Sequence, residues 1–251
     1  MHILLTNDDG IAAPGLLALK QALDPLAQVT LIAPSRNYSA SGHRKTMHKP
    51  LRVDQAWLSD GSPAWVCSGA PSDCVALALL GFVKETIDLV VSGINPTPNL
   101  GQDVTYSGTV TAGLEAVISG VPGVAVSAAL AAPDDYEPAA KIAAQIVRAA
   151  LERGLPAGVM LNVNVPAGPD IKGARITRQG GSIYRDELVE RLDPRGKPYY
   201  WIGGEIPTGA EEEGTDFWAL AHGYVSVTPL KPDLTAREAI PVLEAWLLNL
   251  G

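Results

Sequence analysis

Up to residue 166 the chain alternates short aliphatic or β-branched runs with longer amphipathic ones, and this alternation constrains the fold more than any other feature. In order the runs read HILLT, PGLLALKQAL, QVTLIAP, PSDCVALALLGF, DLVVSG, GTVTAGLEAVIS, GVAVS, EPAAKIAAQIVRAALERG and VMLNVNVP. Strand, helix, strand, helix is the pattern of a parallel sheet with helices on both faces. The strand runs are almost wholly apolar, as strands buried on both sides must be. The expected fold is α/β, a Rossmann-like three-layer core with a mostly parallel sheet.

The texture changes near Ala174. Aromatics, glycines and charges mix without helical period in SIYRDELVERLDPRGKPYYWIGGEIPTGAEEEGTDFWAL, which predicts hairpins projecting from the core as a partner-binding arm. GYVSVTPL reads as a returning strand. TAREAIPVLEAWLLNL reads as a closing helix, with Thr235 as cap, Glu238 at the capping-box position and Pro241 interrupting its period. The division is thus residues 1–173 as a core and 174–251 as an extension.

Composition bears on the partners. At 47% hydrophobic and 18% charged residues, with a mean hydropathy of +0.12, the chain has the makeup of a folded protein rather than a disordered one. A net charge of −8 and a pI near 5.0 argue against binding a nucleic-acid backbone or an anionic membrane surface. A phosphorylated ligand would need local help, such as a metal ion. The start MHILLTNDD has no leader character and no apolar run reaches membrane-spanning length, so the expected location is cytoplasmic. Cys67 and Cys74 have no zinc-type neighbours and read as buried thiols of a reducing compartment.

Open parallel sheets bind ligands outside the carboxyl ends of their strands. After the first strand come Asn7, Asp8, Asp9 and Gly10; after the second, Ser35, Arg36, Asn37, Tyr38, Ser39, Ser41 and His43; after DLVVS, Gly93, Ile94, Asn95 and later Asn99. Carboxylate, hydroxyl and carboxamide offer a cation only oxygen, which suits Mg²⁺ or Mn²⁺ better than zinc or copper. A cation would also explain why two carboxylates tolerate adjacency, since their repulsion otherwise raises one pKa. The alternative for Asp8 and Asp9 is a turn in which one acid caps the helix starting near Pro14; Asn95 has a turn role as its own alternative.

NLGQDVTYSGTVTAG places Ser107, Gly108 and Thr109 at a helix start. Free backbone N–H groups and the positive dipole end favour an anion there, although a hydroxyl cap without ligand fits the same residues. An oxygen-only metal site beside an anion cradle points to metal-assisted phosphoryl transfer to water. Dinucleotide, P-loop, nucleophile-elbow and zinc-protease motifs are absent from the sequence.

The pieces ILLTNDDGIAAPGL, APSRNYSASGHRKTMHKPLRV, CSGAPSDCVALAL, DLVVSGIN, NLGQDVTYSGTVTAGLEA, LNVNVP and GTDFWALAHGYVSVTPL run in the order found in one family. On them the chain resembles the SurE survival-protein nucleotidases, phosphatases of nucleoside 5′- and 3′-monophosphates. The resemblance implies one divalent cation per subunit, Mg²⁺ or Mn²⁺, held by Asp8, Asp9, Ser39 and Asn95. It implies phosphate contacts from Asn99, Ser107, Gly108 and Thr109. It also implies a C-terminal hairpin, RGKPYYWIGGEIP, exchanged between subunits of a homodimer or homotetramer, and activity on short-chain polyphosphate in some members.

One position departs from the pattern: in SGINPTPNLG, Thr97 stands where these proteins usually carry glycine between the two asparagines. Threonine enters positive φ only at a cost and the flanking prolines fix their own φ, which predicts a stiffer or differently shaped loop. The expected catalytic groups are Asp8 and Asp9, one of them taking a proton from the attacking water, and His43 as proton donor to the leaving nucleoside. An aspartyl-phosphate route is the alternative mechanism. A metal-dependent nucleotide sensor that does not turn over is the alternative function.

Overall fold

The computed structural model describes residues 1–204, 207–210 and 212–246. The chain runs β1 His2–Thr6, α1 Pro14–Leu23, β2 Gln28–Pro34, β3 Val53–Trp57, β4 Pro63–Cys67, α2 Pro71–Leu77, β5 Leu89–Asn95, α3 Gly108–Ile118, β6 Gly123–Ala128, α4 Glu137–Arg153 and β7 Met160–Val165. Beyond these come β8 Ala174–Ile176, β9 Ser182–Ile183, β10 Asp186–Leu192, β11 Pro198–Gly204, β12 Thr208–Gly209, α5 Asp216–Ala221, β13 Val225–Leu230 and α6 Ile240–Glu244.

Nine strands form one sheet in the order β3-β4-β2-β1-β5-β6-β7-β13-β8. The six strands from β4 to β7 are parallel; β3 is antiparallel to β4, and β13 is antiparallel to β7. All residues of β1, β5 and β6 are buried, which is why their sequences lack a polar stripe. In α1 the buried positions Leu16, Leu19, Lys20 and Leu23 follow helical spacing. In α4 the buried positions are alanines and one valine, Ala139, Ala140, Ala143, Val147 and Ala150, and such short side chains let the two helices lie close together. Ile3, Leu5, Leu31, Val91, Val126 and Val163 pack with α1 and α4 on one face. Leu4, Ile32 and Val90 pack with α2 and α3 on the other. Each fully buried aliphatic side chain contributes about 1.5–3 kcal/mol relative to an exposed one.

Strand order reverses at β1. The chain proceeds from β1 to β2 and β4 on one side, then returns to place β5, β6 and β7 on the other. The crevice between the carboxyl ends of β1 and β5 is the topological switch point where open α/β sheets bind ligands.

Beyond residue 173 the reading of the sequence needs correction in places. GYVSVTPL returns as expected, but β13 enters the main sheet between β7 and β8. GTDFWAL, which shows no helical period, contains α5, capped by Thr215 Oγ1 accepting from Trp218 N at 3.2 Å. The closing helix is shorter than expected. Residues 237–239 form a 3-10 turn, α6 begins at Ile240 and Pro241 falls in its first turn. Among the described residues Thr235 caps no helix; its N–H donates to Asp233 Oδ1 at 3.0 Å. The remainder of that expected helix, residues 247–251, lies outside the described residues, as do 205 and 206 of the expected arm. The arm is otherwise an antiparallel hairpin of β10 and β11.

Candidate active site

The turn after β1 is closed by its own asparagine. Asn7 Nδ2 donates to Gly10 O at 3.0 Å, and Gly10 N donates to Asn7 Oδ1 at 3.2 Å. Gly10 takes φ +101°, where a side chain would be strained. The turn thereby aims Asp8 and Asp9 into the crevice. Neither acid caps α1, whose N-cap is Ala13 without a side-chain bond, so the capping alternative is not realised.

Asp8 is buried and meets α3 directly. Thr109 Oγ1 donates to Asp8 Oδ1, and a Cβ added to Gly108 would lie 2.7 Å from Asp8 Cβ and 3.0 Å from Oδ2. Burial pushes the Asp8 carboxyl up; the Thr109 hydroxyl and the backbone N–H groups of Thr109 and Gly108 pull the other way. The positive end of α3 is therefore already facing an anion, the Asp8 carboxylate. Asp9 is half-buried, and desolvation together with the neighbouring Asp8 charge pushes it up to about 6.

The loop after β2 reaches the same place. Tyr38 N donates to Asp8 O at 2.7 Å, Asn37 Nδ2 donates to Asp9 Oδ1 at 3.3 Å, and Ser39 N donates to Asn37 Oδ1 at 2.6 Å. Asn37 thus joins Ser39 to Asp9. The loop is pinned to α3 and α2 by two buried acids. Glu115 accepts from Lys45 Nζ at 2.8 Å and pairs with His43 Nε2 at 2.8 Å; Asp73 accepts from Thr46 N at 2.8 Å and Oγ1 at 2.7 Å. Burial pushes Glu115 up, and its His43 and Lys45 partners more than offset this, leaving it below the usual range.

Asn95 is the last residue of β5 rather than a loop residue, next to β1 through the Thr6–Ser92 pairing. Its Nδ2 donates to Thr97 O at 2.6 Å and Thr97 Oγ1 at 3.1 Å, which leaves Oδ1 as the group for a cation. Asn99 is buried and fastened to β6 and β7: its Nδ2 donates to Ser127 Oγ at 2.7 Å, its N to Asn164 Oδ1 at 2.8 Å, and its carbonyl accepts from Asn162 and Asn164. Ser107 forms the hydroxyl cap of α3, accepting from Val110 N at 3.1 Å. Tyr136, ahead of α4, packs its ring where a Gly15 Cβ would lie, 2.8 Å from Cε1; burial, then the charges of Asp9 and Asp134, raise its phenol.

The structure thus joins Asp8, Gly108 and Thr109 directly, links Asp9 to Ser39 through Asn37, and sets Asn95 at the neighbouring strand end. His43 is turned to Glu115. Asn37, Glu115, Ser127, Asn162 and Asn164 were assigned no role from sequence. The signal for the last two was present: alternate asparagines in LNVNV share one face of a buried strand.

This arrangement has relatives. A family model described as Survival protein SurE matches residues 3–186. The chain belongs to the SurE family. A protein named 5′-nucleotidase SurE from Herpetosiphon aurantiacus is 50% identical over 99% of both chains. One of the same name from Chloroflexus aggregans is 49% identical over 98% of this chain and 99% of its own. The crystal structure of a SurE protein from Aquifex aeolicus superimposes with a TM-score of 0.83 at 40% identity, covering 98% of this chain and 99% of that one. The SurE relationship therefore spans the acid-pair turn, the α3 start and the C-terminal strands alike.

Proposed function

We propose that the chain is a 5′-nucleotidase, a phosphoric monoester hydrolase that uses one divalent cation. The observation that carries this reading is the buried contact of Asp8 with Gly108 and Thr109, which sets an acid pair against a helix start at the switch point. The SurE relatives named 5′-nucleotidase support it over the full length.

The residues present fit a hard cation. Asp8, Asp9, Ser39 and Asn95 offer a cation only oxygen, and Asp9, raised first by burial and then by the Asp8 charge, lies beside a second carboxylate whose repulsion a cation would relieve. When bound, Mg²⁺ or Mn²⁺ supplies charge neutralisation for the phosphoryl group and a more acidic water. Gly108 and Thr109 hold phosphate oxygens with the N–H groups they now turn to Asp8. Asn99 donates its second amide hydrogen, the first being spent on Ser127. Asp9, on the acid-pair turn, takes the proton of the attacking water in this reading. With Nε2 on Glu115, His43 serves as an anchor of the Ser39 loop in this reading rather than as the proton donor to the leaving oxygen.

We extend the proposal to 3′-monophosphates and short-chain polyphosphate as further substrates. We also propose homodimer or homotetramer formation through the β10–β11 hairpin, supported by Leu188, Trp201 and Ile202 at 71%, 63% and 84% exposure. The two free buried thiols are in keeping with a cytoplasmic protein. Among the described residues no helix is long and apolar enough to cross a membrane.

The test is phosphate release from 5′- and 3′-monophosphates and tripolyphosphate by EDTA-stripped protein, by protein with Mg²⁺ or Mn²⁺ restored, and by Asp9→Asn. Release that returns with metal and is lost in the variant supports the reading. Nucleotide binding without release under every metal refutes it in favour of a sensor.

A further inference from the structure

Asp216 opens α5 with 0% exposure. Its carboxylate is satisfied by three backbone N–H groups: Oδ2 accepts from Gly101 at 2.8 Å, and Oδ1 accepts from Gly180 at 2.8 Å and Phe217 at 2.9 Å. Gly101 lies 115 residues away in sequence, in the segment that joins Asn99 to α3. Charged acceptors make the stronger backbone hydrogen bonds, so this one side chain fastens that segment to the C-terminal extension.

Shape agrees with the hydrogen bonds. Gly101 adopts φ +51°, and a Cβ there would stand 2.6 Å from Ser182 Oγ, 2.7 Å from Gly180 O and 2.7 Å from Phe217 Cε2. The segment is seated in a notch walled by the extension. Further bonds follow it: Gln102 N donates to Ser182 Oγ at 3.1 Å, Gln179 Nε2 to Gly101 O at 2.9 Å, and Tyr184 hydroxyl to Asp103 Oδ1 at 2.7 Å. From Gly101 a 3-10 turn runs to Thr105, and Asp103 O accepts from Ser107 N at 3.1 Å, just before Gly108 and Thr109. Asn99 sits two residues upstream of the clamp.

We propose that Asp216 is a positioning residue: it locks residues 99–107 onto the C-terminal extension, so that Asn99 and the start of α3 meet the substrate phosphate together. The proposal rests on the nucleotidase reading for its catalytic consequence, whereas the clamp has readouts of its own.

The experiment compares wild type with Asp216→Asn, Gly101→Ala and Ser182→Ala, and with Thr177→Val as control. Thr177 is buried in the same region and bonds Ser226 and Thr228 hydroxyls at 2.8 Å each, and among the described residues its side chain makes no hydrogen bond to residues 99–107. Amide hydrogen exchange of residues 99–107, calorimetric affinity for a nucleoside 5′-monophosphate, KM and kcat are measured. Asp216→Asn puts a donor where an acceptor stood, so about tenfold faster exchange and about tenfold weaker nucleotide affinity and KM are expected, with kcat changed less. Gly101→Ala is expected to act alike and Ser182→Ala more weakly. Thr177→Val should leave exchange and KM at wild-type values even where it lowers Tm. Wild-type exchange and affinity in Asp216→Asn, or the same change in Thr177→Val, overturn the proposal; if Asp216→Asn does not fold, the same outcomes in Gly101→Ala and Ser182→Ala decide. A wild type without phosphate release refutes the nucleotidase reading alone, because exchange and affinity still judge the clamp.

Discussion

Replacing Gly108 by alanine sets two effects of similar size against each other. Helix propensity favours the change: alanine is better than glycine by about 0.8–1 kcal/mol in a helix interior, and less at the first position, which Gly108 occupies in α3. Packing opposes it. The new Cβ would lie 2.7 Å from Asp8 Cβ, whereas carbon atoms prefer about 3.5–4.0 Å, so one side must move by about 1 Å. Asp8 resists, because Thr109 holds its carboxylate and Tyr38 N its carbonyl at 2.7 Å. Overpacking of a fixed, buried contact costs about 1–3 kcal/mol. Packing outweighs propensity, and a net loss of about 1–2 kcal/mol is expected, or about 2–8 °C in Tm for a chain of this size. Activity should fall further than stability, since about 1 Å of misplacement at a reacting group costs up to about 100-fold. Differential scanning calorimetry and phosphate release on the same preparation check both. A Gly108→Ala protein with raised or unchanged Tm and full kcat/KM would refute the contact as the centre of the site.

Two further outcomes follow from the electrostatics. Asp9, raised to about 6 from an ordinary 3.8, keeps its proton in the folded chain where the unfolded chain has lost it. Metal-free protein should therefore lose stability as pH rises from about 4 to 6, and Mn²⁺, which needs the carboxylate, should bind more tightly across the same window; Tm and Mn²⁺ titrations at pH 5 and pH 7 measure the two, and flat profiles would contradict the assignment. Glu115→Gln weakens the anchors from His43 and Lys45, so a stability loss of about 1 kcal/mol and poorer Mn²⁺ affinity are expected, while His43→Gln should keep the pH profile of kcat; a profile that loses its basic or acidic limb in His43→Gln would restore His43 as proton donor.

The core was legible because buried parallel strands leave continuous apolar runs, and the acid pair because it follows the first of them. The α3 start was legible as small and hydroxyl residues opening a helical pattern. What stayed hidden is long-range. Glu115 lies 72 residues from His43, and nothing in the local sequence around the Ser39 loop signals that pairing. Asn164 lies 65 residues from Asn99; its strand could be recognised, but not the loop it would hold. The strand β13 could be recognised too, yet its place between β7 and β8 depends on pairing partners that no local pattern specifies. The closing helix is present but starts later than the sequence pattern, for a local reason: Pro241 suits a first turn and not a helix interior.

The threonine at 97 shows how local rules and tertiary anchoring divide the work. By propensity alone, a threonine between two prolines should stiffen or reshape the loop. Yet Thr97 is not among the non-glycine residues at positive φ, which are Ala40 and Asp134 among those described, so the position makes no demand that only glycine meets. Its carbonyl and hydroxyl both accept from Asn95 Nδ2, an interaction whose hydroxyl half glycine lacks. Asn99, at the far end of the loop, is held by Ser127, Asn162 and Asn164, none of which belongs to the loop. Its placement is therefore set from outside the loop, by these bonds to β6 and β7 and by the Asp216 clamp on Gly101 two residues on. What Thr97 and the two prolines change is the entropy of the span between the two asparagines: fewer unfolded conformations are lost when it closes, and the Asn95 amide is held by Thr97.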